Sequence, residues 1–208
     1  VHFDAISGPT EGATDFLWMV MLGAMRGLGL DIGIGAALLN ALGLSVICYS
    51  VFRIWGGVDA TYIGAILVVL LSGGTAAALG GFSTLAYGGL FSLYVVSLIE
   101  RKHFVFALLA LALPLFRPDG LLLSVGGVMA ALLSANEAER RSIALVLLPV
   151  GAAGLVYFLW RWHYFGMFLP LPLLVKARTD SFMEGLGPNL SALKWYGGLL
   201  LPLCFHVA

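Results

Sequence analysis

Long apolar stretches, each close to the length of a bilayer crossing, dominate the pattern of hydrophobic and polar positions. A membrane-spanning helix needs about 20 mostly apolar residues. Four stretches approach or reach that length, and a fifth begins near the end of the chain. The pattern therefore predicts an all-α, polytopic helical membrane protein. Its predicted spans are 31–54, 60–79, 82–99 and 143–160, followed by the start of a further span at 193–208.

The amino-acid composition favours the same class. Hydrophobic residues make up 61% of the 208 residues and charged residues only 11%, whereas a soluble domain carries about 25% charged residues. The formal net charge is zero, so electrostatics give no basis for nucleic-acid binding. Cys48 and Cys204 both lie in apolar stretches and belong to no disulfide or metal motif. Because the chain begins with Val1 and stops within an apolar stretch, we expect it to be part of a longer protein.

Basic residues at the ends of the apolar stretches predict the orientation, because positive side chains concentrate in cytoplasmic loops. Placing Arg53 inside puts every later basic cluster before residue 143 on the same side. Those residues are Arg101, Lys102, Arg140 and Arg141. The predicted regions are an outer-face loop with an interfacial helix at 1–30, transmembrane helices at 31–160, an outer-face loop at 161–192 and the further span at 193–208. Within the first region, residues 15–27 are too few to span, and Thr14 or Asp15 is expected to stabilise the start of this helix.

Residues 104–134 do not fit a single span. As one helix they would measure about 46 Å, against a hydrocarbon core of about 30 Å, and two prolines would interrupt them. Two pieces, 104–116 and 121–133, would each reach only about 20 Å. We therefore predict a re-entrant pair of short helices that leaves and returns on the cytoplasmic side. Its turn, residues 117–120, would lie below the outer surface, where irregular backbone must face protein or a polar cavity.

Three short motifs occur in order along the chain. They are Glu11-Gly12-x-Thr14-x-Phe16-Leu17-Trp18, then Arg117-Pro118-Asp119-Gly120, then Tyr164-Phe165-Gly166-x-x-Leu169-Pro170 with Lys176. The set resembles a bacterial branch of the GT-C glycosyltransferases, in particular its arabinofuranosyltransferase-like and mannosyltransferase-like members. The family patterns read roughly EGYTSFLW, TRPEG and YYGDLLPNTYYAK. One departure is Ser83, which stands where family members often have a glutamate.

The resemblance implies a GT-C-like transmembrane bundle in the cytoplasmic membrane, with its active site facing outward. Such enzymes transfer a sugar from a polyprenyl-phosphate donor, usually with inversion at the anomeric carbon. The acceptor would be a glycan, lipid or protein of the cell envelope. The family's general base belongs to an acidic pair that would precede Val1, so no catalytic residue is assigned within this chain.

The motifs suggest a role for each polar side chain. A guanidinium at membrane depth suits a phosphate, because its fork binds two oxygens and its charge is permanent. The alternative for Arg117 is an internal ion pair with Asp119, and Asp119 itself could orient Arg117, contact a sugar hydroxyl or bind a divalent ion. No cofactor is assigned, and a divalent metal is left open. The predicted donor-phosphate residues are Arg117, Lys176 and His163, and the predicted sugar or acceptor residues are Glu11, Asp119 and Tyr164.

Two other functions remain open from the sequence. Short or broken helices at membrane depth also build the sites of secondary transporters and lipid flippases. A transporter of this kind should carry an internal repeat, and the chain shows no convincing one. A non-catalytic membrane scaffold is the third alternative.

Overall fold

The computed structural model of the protein describes residues 15–168. Residues 15–166 of this range belong to one unit. Every regular element in the described range is an α-helix, which confirms the predicted all-α class. The helices are α1 (Phe16–Gly27), α2 (Ile32–Trp55), α3 (Ala60–Leu70), α4 (Gly73–Leu79), α5 (Thr84–Ile99), α6 (His103–Phe116), α7 (Gly120–Ser134) and α8 (Glu137–Phe165).

Two of these helices, α2 with 24 residues and α8 with 29, are long and apolar enough to cross a bilayer. They contain the spans predicted at 31–54 and 143–160. The predicted span at 60–79 is broken, because α3 and α4 reach the required length only together and bend by 51° between them. The prediction of a full span at 82–99 is wrong, since α5 has only 16 residues.

The break between α3 and α4 has a local cause at Ser72. Its hydroxyl donates to the Val69 carbonyl at 2.7 Å and accepts from the Thr75 amide at 3.4 Å. The Thr75 hydroxyl donates to the same Val69 carbonyl at 2.7 Å. Such side-chain bonds compete with the helix ladder, so they satisfy the backbone where the helix stops and restarts.

Helices α2 and α5 pack parallel to each other with almost no gap between their backbones, since Asn40 meets Ala86 and Arg53 meets Glu100. A Cβ added at Gly89 would lie only 2.8 Å from the Cα of Gly43. Small residues permit this approach, which is how helices associate closely in lipid. The contact fixes the register of α2 against α5, and that register brings Asn40 opposite the start of α5.

The region 104–134 forms the two short helices that the sequence predicts, α6 and α7. Pro114 lies inside α6 and has no amide hydrogen, so the carbonyl of Ala110 loses its helical partner. The Ser124 hydroxyl of α7 donates to that carbonyl at 2.7 Å. The hydroxyl of Tyr94, a side chain only 1% exposed, in turn donates to the Ser124 carbonyl at 2.7 Å. The hairpin is therefore joined by hydrogen bonds where its proline weakens it.

One end of the unit gathers charged residues, and we call it the charged end. Arg53 forms an ion pair with Glu100, and the Lys102 ammonium lies 2.6 Å from the same carboxylate. Arg101 pairs with Glu139 at the start of α8. The basic residues predicted to share one side of the membrane therefore meet at one end of the bundle.

At the end of the bundle away from the charged end, the short helices stop before α2 does. Helices α5, α6 and α7 contain 16, 14 and 15 residues, which correspond to about 24, 21 and 22 Å. Helix α2 continues through Ile32–Leu39 beyond the level of Asn40, or about 12 Å further. Helices α5, α6 and α7 are thus shorter than a bilayer's hydrocarbon core of about 30 Å by roughly 6–9 Å. If the charged end lies at one membrane surface, the turns that begin α5 and α7 lie below the other surface.

Helix α1 runs alongside this extra length of α2 and is joined to it by the short turn 28–31. Its Met25 contacts α2 at Gly35, where an added Cβ would meet the Met25 side chain at 3.1 Å. Helix α1 is too short to span, as predicted, and it packs as the antiparallel partner of α2. Asp15 stands at its N-cap, one residue before the first turn, and its side chain makes no capping bond. Thr14, which was expected to cap this helix, lies outside the described residues.

Candidate functional site

The turn between α6 and α7 consists of residues 117–120 and stands at the recessed end of the short helices. Arg117 has an extended backbone, and the Gly120 amide donates to the Arg117 carbonyl at 2.9 Å. Gly120 is required by close packing, because an added Cβ would lie 2.5 Å from the Leu113 carbonyl carbon. The predicted turn residues thus place one cation and one anion at the tip of the hairpin.

The Arg117 side chain is held on two sides. Its Nε donates to Asp119 Oδ1 at 3.1 Å, and its guanidinium carbon lies 5.3 Å from the centre of the Tyr87 ring. The side chains of Arg117 and Asp119 are 35% and 57% exposed. Within the described residues, the two terminal nitrogens of Arg117 make no hydrogen bond. The internal ion pair therefore exists, yet it occupies only one edge of the guanidinium and leaves its fork accessible.

Tyr87 is the residue at this site that the sequence analysis missed. Its hydroxyl is buried and has no hydrogen-bond partner among the described residues. A buried hydroxyl normally finds a partner, so an orphaned one beside a guanidinium needs an explanation. The available signal was spacing: Tyr87 follows Ser83 by four residues and therefore lies on the same face of α5.

Segments far apart in sequence contact one another around this turn. The Ser83 hydroxyl donates to Asp15 Oδ2 at 2.9 Å, across 68 residues. The ring of Phe116 stacks on Tyr87 and lies tilted against Trp18, each at 6.0 Å between centroids. The start of α1, the start of α5 and the turn at 117–120 therefore form one cluster. We call its polar members, Asp15, Asn40, Ser83, Tyr87, Arg117 and Asp119, the polar layer.

Asn40 completes the polar layer from α2, where its side chain is 4% exposed. Its amide nitrogen donates to the Phe82 carbonyl at 2.9 Å, and its oxygen accepts from the Ala86 amide at 3.1 Å. The Ala86 amide belongs to the first turn of α5, where an N-cap side chain would ordinarily accept. Ser83 occupies that N-cap position but makes no capping bond, since its hydroxyl donates to Asp15. Asn40 thus caps α5 from a neighbouring helix.

The remaining predicted site residues are not joined to this cluster. His163 and Tyr164 lie exposed in the last turn of α8, and Tyr164 stacks on Trp160 at 5.6 Å. Neither forms a hydrogen bond with the turn at 117–120 in the part of the chain that the structure describes. Glu11 and Lys176 lie outside the described residues. No group of three or more His, Cys, Asp or Glu side chains suited to a metal occurs within residues 15–168.

The charged end contains a cavity of about 260 Å³, on the far side of the bundle from Arg117. The turn at 117–120, by contrast, is a partly exposed surface with its charges accessible. Any ligand of Arg117 would therefore bind in a site open on one side.

Two apolar helices of spanning length, or three if the bent pair counts as one, assign the chain to the helical membrane proteins. Comparison with known proteins adds no closer relationship, because no family model, curated protein or solved structure matches the chain.

Proposed function

We infer that the protein is a membrane glycosyltransferase that takes a sugar from a polyprenyl-phosphate donor at the polar layer, on the outer face of the cytoplasmic membrane. The observation that carries this proposal is the 35% exposed side chain of Arg117 at the tip of the α6–α7 hairpin, which we propose lies at membrane depth. Charge at that depth is costly and usually functional. The motif resemblance adds support, since segments from two of its three motifs meet at the same cluster.

The geometry of Arg117 suits a phosphate. Its Nε is engaged by Asp119 and its guanidinium carbon lies 5.3 Å from the centre of the Tyr87 ring, while its terminal nitrogens form no hydrogen bond within the described residues. Two parallel N–H groups can then bind two oxygens of one phosphate. The Tyr87 hydroxyl is buried without a hydrogen-bond partner among the described residues, and it would donate to the phosphate only after becoming accessible. Asp119, as the orienting partner, keeps the guanidinium from rotating.

The proposed reaction is a single displacement. The acceptor hydroxyl attacks the anomeric carbon, the bond from that carbon to the donor phosphate breaks, and the hydroxyl proton passes to a carboxylate upstream of Val1. Negative charge develops on the departing polyprenyl phosphate, where Arg117 would stabilise it. Lys176, and His163 in the last turn of α8, would contact the same phosphate, and Glu11 and Tyr164 would contact the sugar or acceptor.

The test is transfer of radiolabelled pentose or hexose from polyprenyl phosphate in membranes that contain the full-length protein. Arg117→Ala is expected to lower turnover by about 10²-fold, the usual loss for one group that stabilises developing charge. The matched control is Arg26→Ala, which removes the same charge from the exposed last turn of α1. Unchanged turnover in a correctly inserted Arg117→Ala variant would remove Arg117 from the mechanism.

The bend between α3 and α4 favours one alternative function. A broken helix beside a re-entrant pair is also the architecture of secondary-transporter and lipid-carrier sites. That function predicts movement of a polyprenyl-phosphate sugar across proteoliposome membranes without cleavage of its glycosidic bond. Product analysis separates the two, because only the enzyme yields free polyprenyl phosphate.

A further inference from the structure

The cavity of about 260 Å³ at the charged end has features of a second binding site. Its walls mix polar and apolar groups, and it lies where α5, α6, α7 and α8 approach one another. Most ligand pockets for drug-sized molecules are about 300–1,000 Å³, so this one suits a smaller group. Among its lining residues are Ser97, Arg101, His103, Phe106, Glu139 and Ile143.

Arg101 carries an unusual backbone conformation at the edge of this cavity. Its φ of 56° is the only positive value among the non-glycine residues of the described range. The Lys102 amide donates to the Ser97 carbonyl at 2.9 Å and the Arg101 amide to Leu98 at 3.2 Å, the bonds that end a helix in a Schellman motif. Glycine normally occupies this position, because other residues are strained there.

The ion pair of Arg101 with Glu139 does not explain why an arginine accepts this strain. The Arg101 side chain is 61% exposed, and exposed ion pairs contribute little to stability. Glu139 also has another partner, since its second oxygen accepts from the Asn136 amide at 3.3 Å in a capping box. Arg101 therefore lines the cavity with a side chain that stays 61% exposed while paired with Glu139.

The start of α6 makes the cavity attractive to an anion. Lys102, its N-cap residue, makes no side-chain capping bond, whereas α8 is fully capped by Asn136 and Glu139. A helix N-terminus without a cap presents unpaired amides and a positive dipole end to a nearby anion. His103 in the first turn of α6 and Arg101 both line the cavity, so an imidazole and a guanidinium share this location with the amides.

The surroundings identify the anion as part of a lipid. Phe106 and Ile143 give the cavity an apolar wall, and Phe104 on α6 is 65% exposed beside it. The charged end also carries the basic residues that meet an anionic membrane surface. We propose that this cavity binds the phosphate headgroup of an anionic phospholipid, with Arg101 and the α6 N-terminus as its main contacts. An entering phosphate would share Arg101 with Glu139 or displace that carboxylate from it.

Native mass spectrometry of the detergent-purified full-length protein tests this site. Phosphatidylglycerol is titrated against phosphatidylcholine with matched acyl chains, and inorganic phosphate is added as a competitor. We expect preferential binding of phosphatidylglycerol that Arg101→Gly weakens about tenfold, as loss of one charge-assisted contact would. The fold should survive this change, because glycine is the residue that the Schellman position favours.

Arg53→Gln is the matched control, since it removes a cation of the same end that does not line the cavity. It should change phosphatidylglycerol affinity less than about threefold. Equal affinity of the parent and Arg101→Gly proteins, or equal binding of both lipids, would overturn the proposal. Displacement by inorganic phosphate at concentrations equal to those of the lipid would overturn the lipid assignment in favour of free phosphate.

Discussion

The charged end and the polar layer contain the same kinds of side chain in different states of pairing. At the charged end, Arg53 and Lys102 share Glu100, and their side chains are 45% and 56% exposed. In the polar layer, Arg117 makes one hydrogen bond to Asp119 while the Tyr87 hydroxyl beside it has none among the described residues. The first arrangement pairs nearby opposite charges. The second leaves hydrogen-bonding capacity unused, and a buried group without a partner needs an explanation such as a functional role.

The largest loss of stability is expected on replacing Asn40 of the polar layer. Replacement by Leu would leave the Phe82 carbonyl and the Ala86 amide without partners, and each orphaned group costs about 1–3 kcal/mol. We expect Asn40→Leu to lower the free energy of unfolding by about 3 kcal/mol, measured by denaturant titration in detergent. Asn40→Asp is the companion variant, because it retains the acceptor for Ala86 and loses the donor for Phe82. Loss of less than about 0.5 kcal/mol in both variants would show that the α4–α5 turn does not depend on Asn40.

The next largest effect is expected when an arginine of each region is replaced by lysine and sugar transfer is measured. Lysine keeps the charge but loses the planar fork. Arg117→Lys is therefore expected to lower sugar transfer about 30-fold, equivalent to about 2 kcal/mol of transition-state binding. Arg53→Lys at the charged end should leave transfer unchanged. Equal activity of the two variants would mean that only charge, and not bidentate geometry, matters at residue 117.

A smaller effect is expected for the hydrogen bond that links α1 to α5. Asp15→Asn, Ser83→Ala and the double variant form a thermodynamic cycle, and we expect a coupling of about 1 kcal/mol in the free energy of unfolding. Each single variant should also affect transfer only modestly, since neither group contacts the fork of Arg117. A coupling indistinguishable from zero would separate α1 energetically from the polar layer.

The smallest effect is expected at the charged end, as a loss of stability at low pH. Lys102 and then Arg53 hold the pKa of Glu100 below its usual value of 4.5. A depressed pKa means that Glu100 contributes to stability above pH 4.5 and that this contribution is lost as the pH falls through the lower, folded-state pKa. Thermal unfolding between pH 3 and 6 should therefore show a slight acid-side decrease that Glu100→Gln abolishes. A decrease of the same size in the Gln variant would assign it to another carboxylate.

Much of the helix pattern could be predicted from apolar length and prolines. The hairpin of α6 and α7 follows from Pro118 and Gly120, which favour a turn, whereas Pro114 is accommodated inside α6. The break at Ser72 was not predicted, because residues 60–79 have the length of a span and contain no proline, although Ser72-Gly73-Gly74-Thr75 interrupts their apolar residues. The break depends on hydrogen bonds from the Ser72 and Thr75 hydroxyls to the Val69 carbonyl, which replace backbone hydrogen bonds of the helix.

The site was less predictable than the helices, because it depends on register. Arg117 and Asp119 stand out in the sequence as charges in an apolar stretch. Asn40 and Tyr87 do not, and they enter the polar layer only because Gly43 and Gly89 let α2 and α5 approach at one alignment. A sequence pattern gives the face of a helix but not its longitudinal position against another helix. The roles of Glu11 and Lys176 remain predictions, since both lie outside the described residues.

The most direct test of the central claim is the accessibility of residue 119 from each side of the membrane. Asp119→Cys is introduced with Cys48→Ser and Cys204→Ser, and intact spheroplasts are treated with a membrane-impermeant maleimide. We predict labelling from the outside that polyprenyl phosphate slows, whereas Lys102→Cys is labelled only after the membrane is permeabilised. Labelling of Asp119→Cys only after permeabilisation, or no labelling under either condition, would contradict an outward-facing polar layer.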